Sequence, residues 1–266
     1  MTDVPNTPSR RLNWLFGPLL CLCLIGFAGK SLAETTQTPR DYVLVHGAWV
    51  GEWYWQGLVD SLQAAGHQAI AVSLTGHGAR ASEGGAHVSI EMHAQDILDV
   101  VQRLRLRDVI LVGHSYGGRP ITAAWDQMRD NVSHVVYVEA VAPTNDNEIA
   151  IPQDNMSMRF IMQNNPAWVE DGLIPVPARL RRSYDQVLAP QSMRSVYGAV
   201  TLRNGPLPLT PGTYIVAQES LATVFRSYGK RLQSWRGWNL HQISGGHDVM
   251  GQGQEDLLNI LLSIGD

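Results

Sequence analysis

From Asp41 onward, short apolar runs alternate with longer stretches in which apolar residues recur at helical spacing. An apolar run bounded by turn residues predicts a buried strand, and a period of three to four predicts an amphipathic helix. The stretches "YVLVHG", "QAIAVSL", "DVILVG", "HVVYVEA", "GTYIVAQ" and "WNLHQIS" read as strands. Between and after them, "WQGLVDSLQAAGH", "SIEMHAQDILDVVQRL", "ITAAWDQMRD", "ATVFRSYGKRLQ" and "QEDLLNILLSI" read as helices. In the second of these helices Ser89 is the expected N-cap, with Ile97, Val100, Val101 and Leu104 on the buried face. Repeated alternation of this kind predicts an α/β fold, a mostly parallel central sheet flanked by helices.

The rhythm breaks between Pro143 and Pro211, where prolines, methionines and tryptophans accompany short helical patterns such as "QSMRSVYGAV". A long insertion in a compact domain is commonly functional, so residues 144–210 are expected to form a helical lid over a pocket. With 266 residues, 44% of them hydrophobic and 17% charged, the chain can bury one full core, expected over residues 41–266. A net charge of −4 without a basic stripe argues against a nucleic-acid partner. Residues 1–33 form a separate unit: Arg10 and Arg11 precede an apolar run from Leu12 to Ala28, and Ser31-Leu32-Ala33 follows. That order predicts a signal peptide cleaved after Ala33 and an exported protein, periplasmic or secreted; the alternative is an uncleaved anchor, the one membrane association expected. Cys21 and Cys23 both fall inside the apolar run, so the mature chain is expected to carry no thiol, disulfide or cysteine metal site.

Candidate chemistry begins in "VILVGHSYGGRPI". Gly113-His114-Ser115-Tyr116-Gly117 fits G-x-S-x-G, with a strand before it and a helix after it, the context in which this motif raises a serine hydroxyl above a sheet edge. A serine hydroxyl is a weak nucleophile at neutral pH and needs a base. In "GGHDVM", His247 follows the last expected strand and can reach back to Ser115. Charge developing on a substrate oxygen needs fixed donors, and the backbone amides of Tyr116 and Ala48, the latter in "HGAW", are the candidates. His67, His77, His93 and His114 read as structural, and their spacing does not resemble a metal site.

Taken together, "HGAWVGEWYW", "SLTGHG", "GHSYGG", "VVYVEAVAP" and "GGHDVM" resemble the α/β-hydrolase superfamily. The likeness is to its small-esterase branch, which includes plant methylesterases, hydroxynitrile lyases and bacterial ester and carbamate hydrolases. It runs roughly from Asp41 to Ile264 and implies a serine, histidine and acid triad without a cofactor. Many relatives place the acid just after the strand matching "TYIVAQ", where this chain continues Gln218-Glu219-Ser220 and alignment puts Ser220. Glu139, at the end of "VVYVE", is the preferred acid, because a carboxylate ending a buried strand requires a partner. Glu219 is the alternative.

The resemblance implies hydrolysis of a small carboxylic ester or carbamate, aryl or heteroaryl methyl carbamates among them, through an acyl-enzyme that water releases. Two other readings stand beside it. A hydroxynitrile lyase would use the same triad, but such members carry Thr after the first-strand His and Lys after the catalytic His, where this chain has Gly47 and Asp248. A non-catalytic small-molecule binding protein could reuse the scaffold. Trp49, Trp53 and Trp55, with Met156, Met158, Met162 and Trp168 in the insertion, are candidate linings of a pocket for a small apolar or aromatic substrate.

Overall fold

Backbone groups that enter a core need partners there, and the buried apolar runs find them in one another. The computed structural model describes residues 38–148, 166–221 and 223–265. Six strands, β1 (Asp41–Val45), β2 (Gln68–Val72), β3 (Val109–His114), β4 (Val132–Val138), β7 (Gly212–Ala217) and β8 (Trp238–Ile243), form one sheet in the order β2-β1-β3-β4-β7-β8. Every neighbouring pair in it is parallel. All residues of β3 and β7 are buried, which is why their sequences read as continuous apolar runs rather than alternating ones.

Successive side chains of a strand face opposite layers. On β1, Val43 and Val45 face the layer that holds α2 (Ile90–Leu104), α3 (Gly118–Gln127) and α7 (Thr223–Gln233), while Tyr42 and Leu44 face α1 (Gln56–Ala64) and α9 (Gln254–Leu262). The short α8 (Val249–Gln252) precedes α9. Ser89 caps α2, accepting from the Met92 amide at 3.4 Å. The expected face of α2 is corrected at its end: Ile97 and Val101 are buried, Val100 is half-buried, and Leu104 is exposed. There the chain turns through Arg105 at φ 55°, the Leu106 amide bonds back to Val101 O at 3.0 Å, and Leu106 is buried in place of Leu104.

Between β4 and β7, the described part of the insertion contains α4 (Pro166–Asp171), β5 (Leu173–Ile174), α5 (Ala178–Ser183), β6 (Gln191–Ser192) and α6 (Met193–Tyr197). β5 and β6 pair antiparallel. A two-residue strand is too short to show a period, so "QSMRSVYGAV" reads as helix throughout although it begins as β6.

Register places the chemistry. His114 pairs with Val138, Val138 with Ile215, and Ala217 with Ile243. Ser115, Glu139 and the loop after β8 therefore leave the sheet at one carboxyl edge. The chain order reverses direction across β1, which lies between β2 and β3, and such a switch point opens a crevice at that edge.

Candidate active site

At the end of β3 the chain must turn from strand to helix within three residues, and it does so with Ser115 in the left-handed region at φ 52°. A non-glycine residue holds that conformation at a cost, which the surroundings must impose. Two glycines make it possible. A Cβ on Gly117 would sit 2.6 Å from both Val45 O and His46 O, and one on Gly113 would sit 2.8 Å from Gly117 O. The Val141 amide then bonds to Ser115 O at 3.0 Å and ties the elbow to the loop after β4.

The elbow aims the hydroxyl at the histidine loop, where Ser115 Oγ lies 2.9 Å from His247 Nε2. The Phe225 ring stacks on the imidazole, its centroid 4.9 Å away and its plane 5° off parallel. On the opposite nitrogen, Nδ1 lies 3.3 Å from Glu139 Oε2. Glu139 is fully buried, sits at φ 45°, and accepts the Ala217 amide on Oε1 at 2.7 Å. That bond holds one oxygen of the carboxylate and leaves the other for the imidazole. Glu219 is exposed, and its contribution is its amide, which bonds to Gly245 O at 2.9 Å and braces the histidine loop.

Buried neutral imidazoles support this edge. His114 donates from Nε2 to His247 O at 2.9 Å, and burial, with His247 nearby, pushes its pKa down to about 3. His93 donates from Nε2 to Thr75 O at 2.9 Å and accepts the Tyr116 hydroxyl on Nδ1 at 2.7 Å, while burial and then His77 push it down to about 3. Each ring has a fixed tautomer because one nitrogen faces a carbonyl. Asp248, next to His247, accepts the Tyr54 hydroxyl at 3.1 Å and the Tyr184 hydroxyl from the insertion. Among the described residues, no group of three His, Cys, Asp or Glu side chains is placed to hold a metal ion.

Two cavities meet at Ser115. The larger, about 660 Å³, is lined by Ala48, Trp49, Tyr116, Ile174, Val196 and Phe225 among others. The smaller, about 80 Å³, adjoins His247, Tyr54, Tyr184 and Asp248. Trp49 lines both; it stands at φ 67°, accepts the Ala189 amide on its carbonyl at 3.0 Å, and donates from Nε1 to Ile174 O at 3.3 Å. The expectation for Trp53 is corrected: it lines neither cavity, because its indole packs on Tyr184 at 5.1 Å and donates to Val187 O. Trp55 is also corrected, being fully buried in the core beside Leu58. Met156, Met158, Met162 and the Trp168 side chain lie outside the described residues.

Comparison with known proteins agrees with this fold. The model of the alpha/beta hydrolase family matches residues 42–259. The chain belongs to that family. Among curated relatives, this hydrolase is 32% identical to a carbendazim hydrolyzing esterase of Nocardioides sp. (strain SG-4G), over 85% of this chain and 99% of that protein. It is 24% identical to Esterase PIR7B of Oryza sativa subsp. japonica, over 86% of this chain and 97% of the relative. Among solved structures, an extracellular alpha/beta-hydrolase from a Paenibacillus species superposes with a TM-score of 0.69 at 19% identity, covering 85% of this chain and 99% of that one. This last likeness concerns the fold.

Several site residues have no sequence signal. Phe225 and Tyr184 look like ordinary helix and loop aromatics, and nothing in their spacing points at His247 or Asp248. Arg119 does have one: a charged residue directly after the elbow, in a helix whose first nine residues are all buried.

Proposed function

We propose that this protein is a serine hydrolase that cleaves small carboxylic esters or carbamates through an acyl-enzyme. The observation that carries the reading is the unbroken line from Ser115 Oγ through His247, 2.9 Å on one side, to the buried Glu139, 3.3 Å on the other. In this scheme His247 accepts the Ser115 proton as Oγ attacks the carbonyl carbon. The Ala48 and Tyr116 amides hold the oxyanion. His247 then passes its proton to the departing alcohol, and a water, deprotonated by the same imidazole, releases the acid and restores Ser115. Glu139 fixes the tautomer and steadies the imidazolium.

The cavities support an assignment of substrate parts. The small one beside His247 suits a leaving alcohol of methanol's size, and the large apolar one suits the acyl body, aromatic or heteroaromatic groups included. The 32% identical relative is named for carbendazim hydrolysis, which supports including aryl methyl carbamates. We assign the insertion, whose described residues wall the large cavity, the role of a lid. Export rests on the sequence pattern of residues 1–33, which lie outside the described residues; no helix among the described residues is long and apolar enough to cross a membrane.

Asp248 argues against the lyase reading, since a carboxylate beside His247 opposes the departure of cyanide. The deciding experiment is labelling with an alkyl fluorophosphonate, followed by turnover of p-nitrophenyl esters of rising chain length and of an aryl methylcarbamate, with Ser115→Ala as control. The reading predicts an adduct on Ser115 and Ser115-dependent hydrolysis. An intact protein that forms no adduct is a binder, not a hydrolase.

A further inference from the structure

Among the described residues that line the large cavity, Arg119 alone carries a full charge. It is the second residue of α3, one helical turn beyond Ser115, and is only 1% exposed. A guanidinium stays protonated in a protein, so burial leaves it charged and in need of an anion or a full set of acceptors. It has neither. Its Nη1 donates to Ser195 O at 3.1 Å and its Nη2 to Gly198 O, both neutral carbonyls of the insertion, and its Nε has no hydrogen-bond partner among the described residues. No described carboxylate forms an ion pair with it. Around it the cavity is apolar, with Val141, Val176, Val196 and Val224 in the same wall.

A neutral acyl chain would leave this cation with only the longer-range field of Glu91, whereas a carboxylate at the far end of the chain would meet it with a charge-assisted bond against a largely apolar wall. We propose that Arg119 receives a carboxylate carried on the acyl part of the substrate, so that the preferred substrates are half-esters: monoesters of dicarboxylic acids with an apolar spacer. This rests on the reading of Ser115 as the nucleophile. Hydrolysis breaks the acyl carbon–alkoxy oxygen bond and forms one to the oxygen of water. One water proton goes to the alcohol, and the remote carboxylate is unchanged throughout.

The test compares monomethyl succinate, glutarate and adipate with the methyl esters of the corresponding ω-amides, which match in size and lack the charge. The wild-type protein is expected to prefer the half-ester in kcat/KM by at least about tenfold at the best chain length. Arg119→Gln and Arg119→Met are expected to bring that ratio close to one, and Arg119→Lys to retain part of it. A merely structural Arg119 would lower turnover of both substrates together and leave the ratio intact, which overturns the inference. Should the variants fail to fold, the wild-type ratio and competitive inhibition by free glutarate against glutaramate decide without them. A wild-type ratio of one or below at every length overturns the role of Arg119, while fluorophosphonate labelling of Ser115 would still stand. Absence of labelling removes the nucleophile and this inference with it.

Discussion

Glu139 meets His247 across the carboxyl edge of two different strands, with one carboxylate oxygen 3.3 Å from Nδ1 and the other fixed by the Ala217 amide at 2.7 Å. An amide in place of the carboxylate can present its NH2 to the ring and favour the wrong tautomer. Glu139→Gln is therefore expected to lower kcat by about 10²–10⁴ while leaving KM within a few-fold. Glu219→Gln, on an exposed side chain, is expected to stay close to wild type. Steady-state kinetics on a p-nitrophenyl ester checks both, and near-normal turnover in Glu139→Gln would return the acid to Glu219.

Most of this edge was legible before any coordinates. The apolar runs ending at His114, Val138 and Ile243 marked where strands stop, and the G-x-S-x-G motif with the resemblance to hydrolases pointed to Ser115 and His247 just beyond them and to Glu139, with Glu219 left as the alternative acid. What could not be read depends on contacts between distant segments. Trp49 and Trp53 sit four residues apart in the same aromatic stretch, yet the first lines both cavities and the second packs on Tyr184. Leu104 satisfied the helical period but fell where the helix leaves the sheet, so geometry at the terminus overrode pattern.

The elbow's tolerance for a methyl group differs sharply from that of the histidine loop. Gly117→Ala would press a Cβ to 2.6 Å from two carbonyl oxygens, whereas a Cβ on Gly246 meets nothing within 4 Å. Gly117→Ala is expected to cost about 1–3 kcal/mol of stability through overpacking, with loss of activity as Ser115 shifts. Gly246→Ala should change stability by less than about 0.5 kcal/mol. Urea denaturation of the two variants makes the comparison, and equal midpoints would contradict it.

Stability should depend on pH through the buried imidazoles. His93 and His114 titrate near 3 in the folded protein against an ordinary value of 6.5, both chiefly through burial, and His46 is lowered in the same way. Below pH 6.5 the unfolded chain binds protons that the folded one refuses, so stability is fully present above that value and falls as pH drops toward 3. His93 and His114 each contribute a slope of up to about 1.4 kcal/mol per pH unit within this window. Urea midpoints measured between about pH 7 and pH 5, above the range where carboxylates titrate, are expected to fall with acidification, and His93→Gln should reduce the slope by about one proton. A flat profile over that range would refute the account.

Tyr184 and Asp248 connect the insertion to the histidine loop. Removing either partner leaves the other without this bond, so the effects of Tyr184→Phe and Asp248→Asn on stability are expected to be non-additive, with a coupling of about 0.5–3 kcal/mol in a double-mutant cycle. Additive effects would show that the contact carries no energy. Turnover should fall in both single variants, because Asp248 adjoins His247 and its constraint reaches the ring through one peptide.

The hydrogen-bonded side chains of the candidate site are separated by 108 and 132 positions along the chain, Glu139 to His247 and Ser115 to His247. Contacts so remote in sequence close late when a protein folds, after the loops between them have been ordered. Recovery of hydrolysis after dilution from denaturant will consequently trail the return of helicity. Turnover is thereby a report on the final docking of the chain.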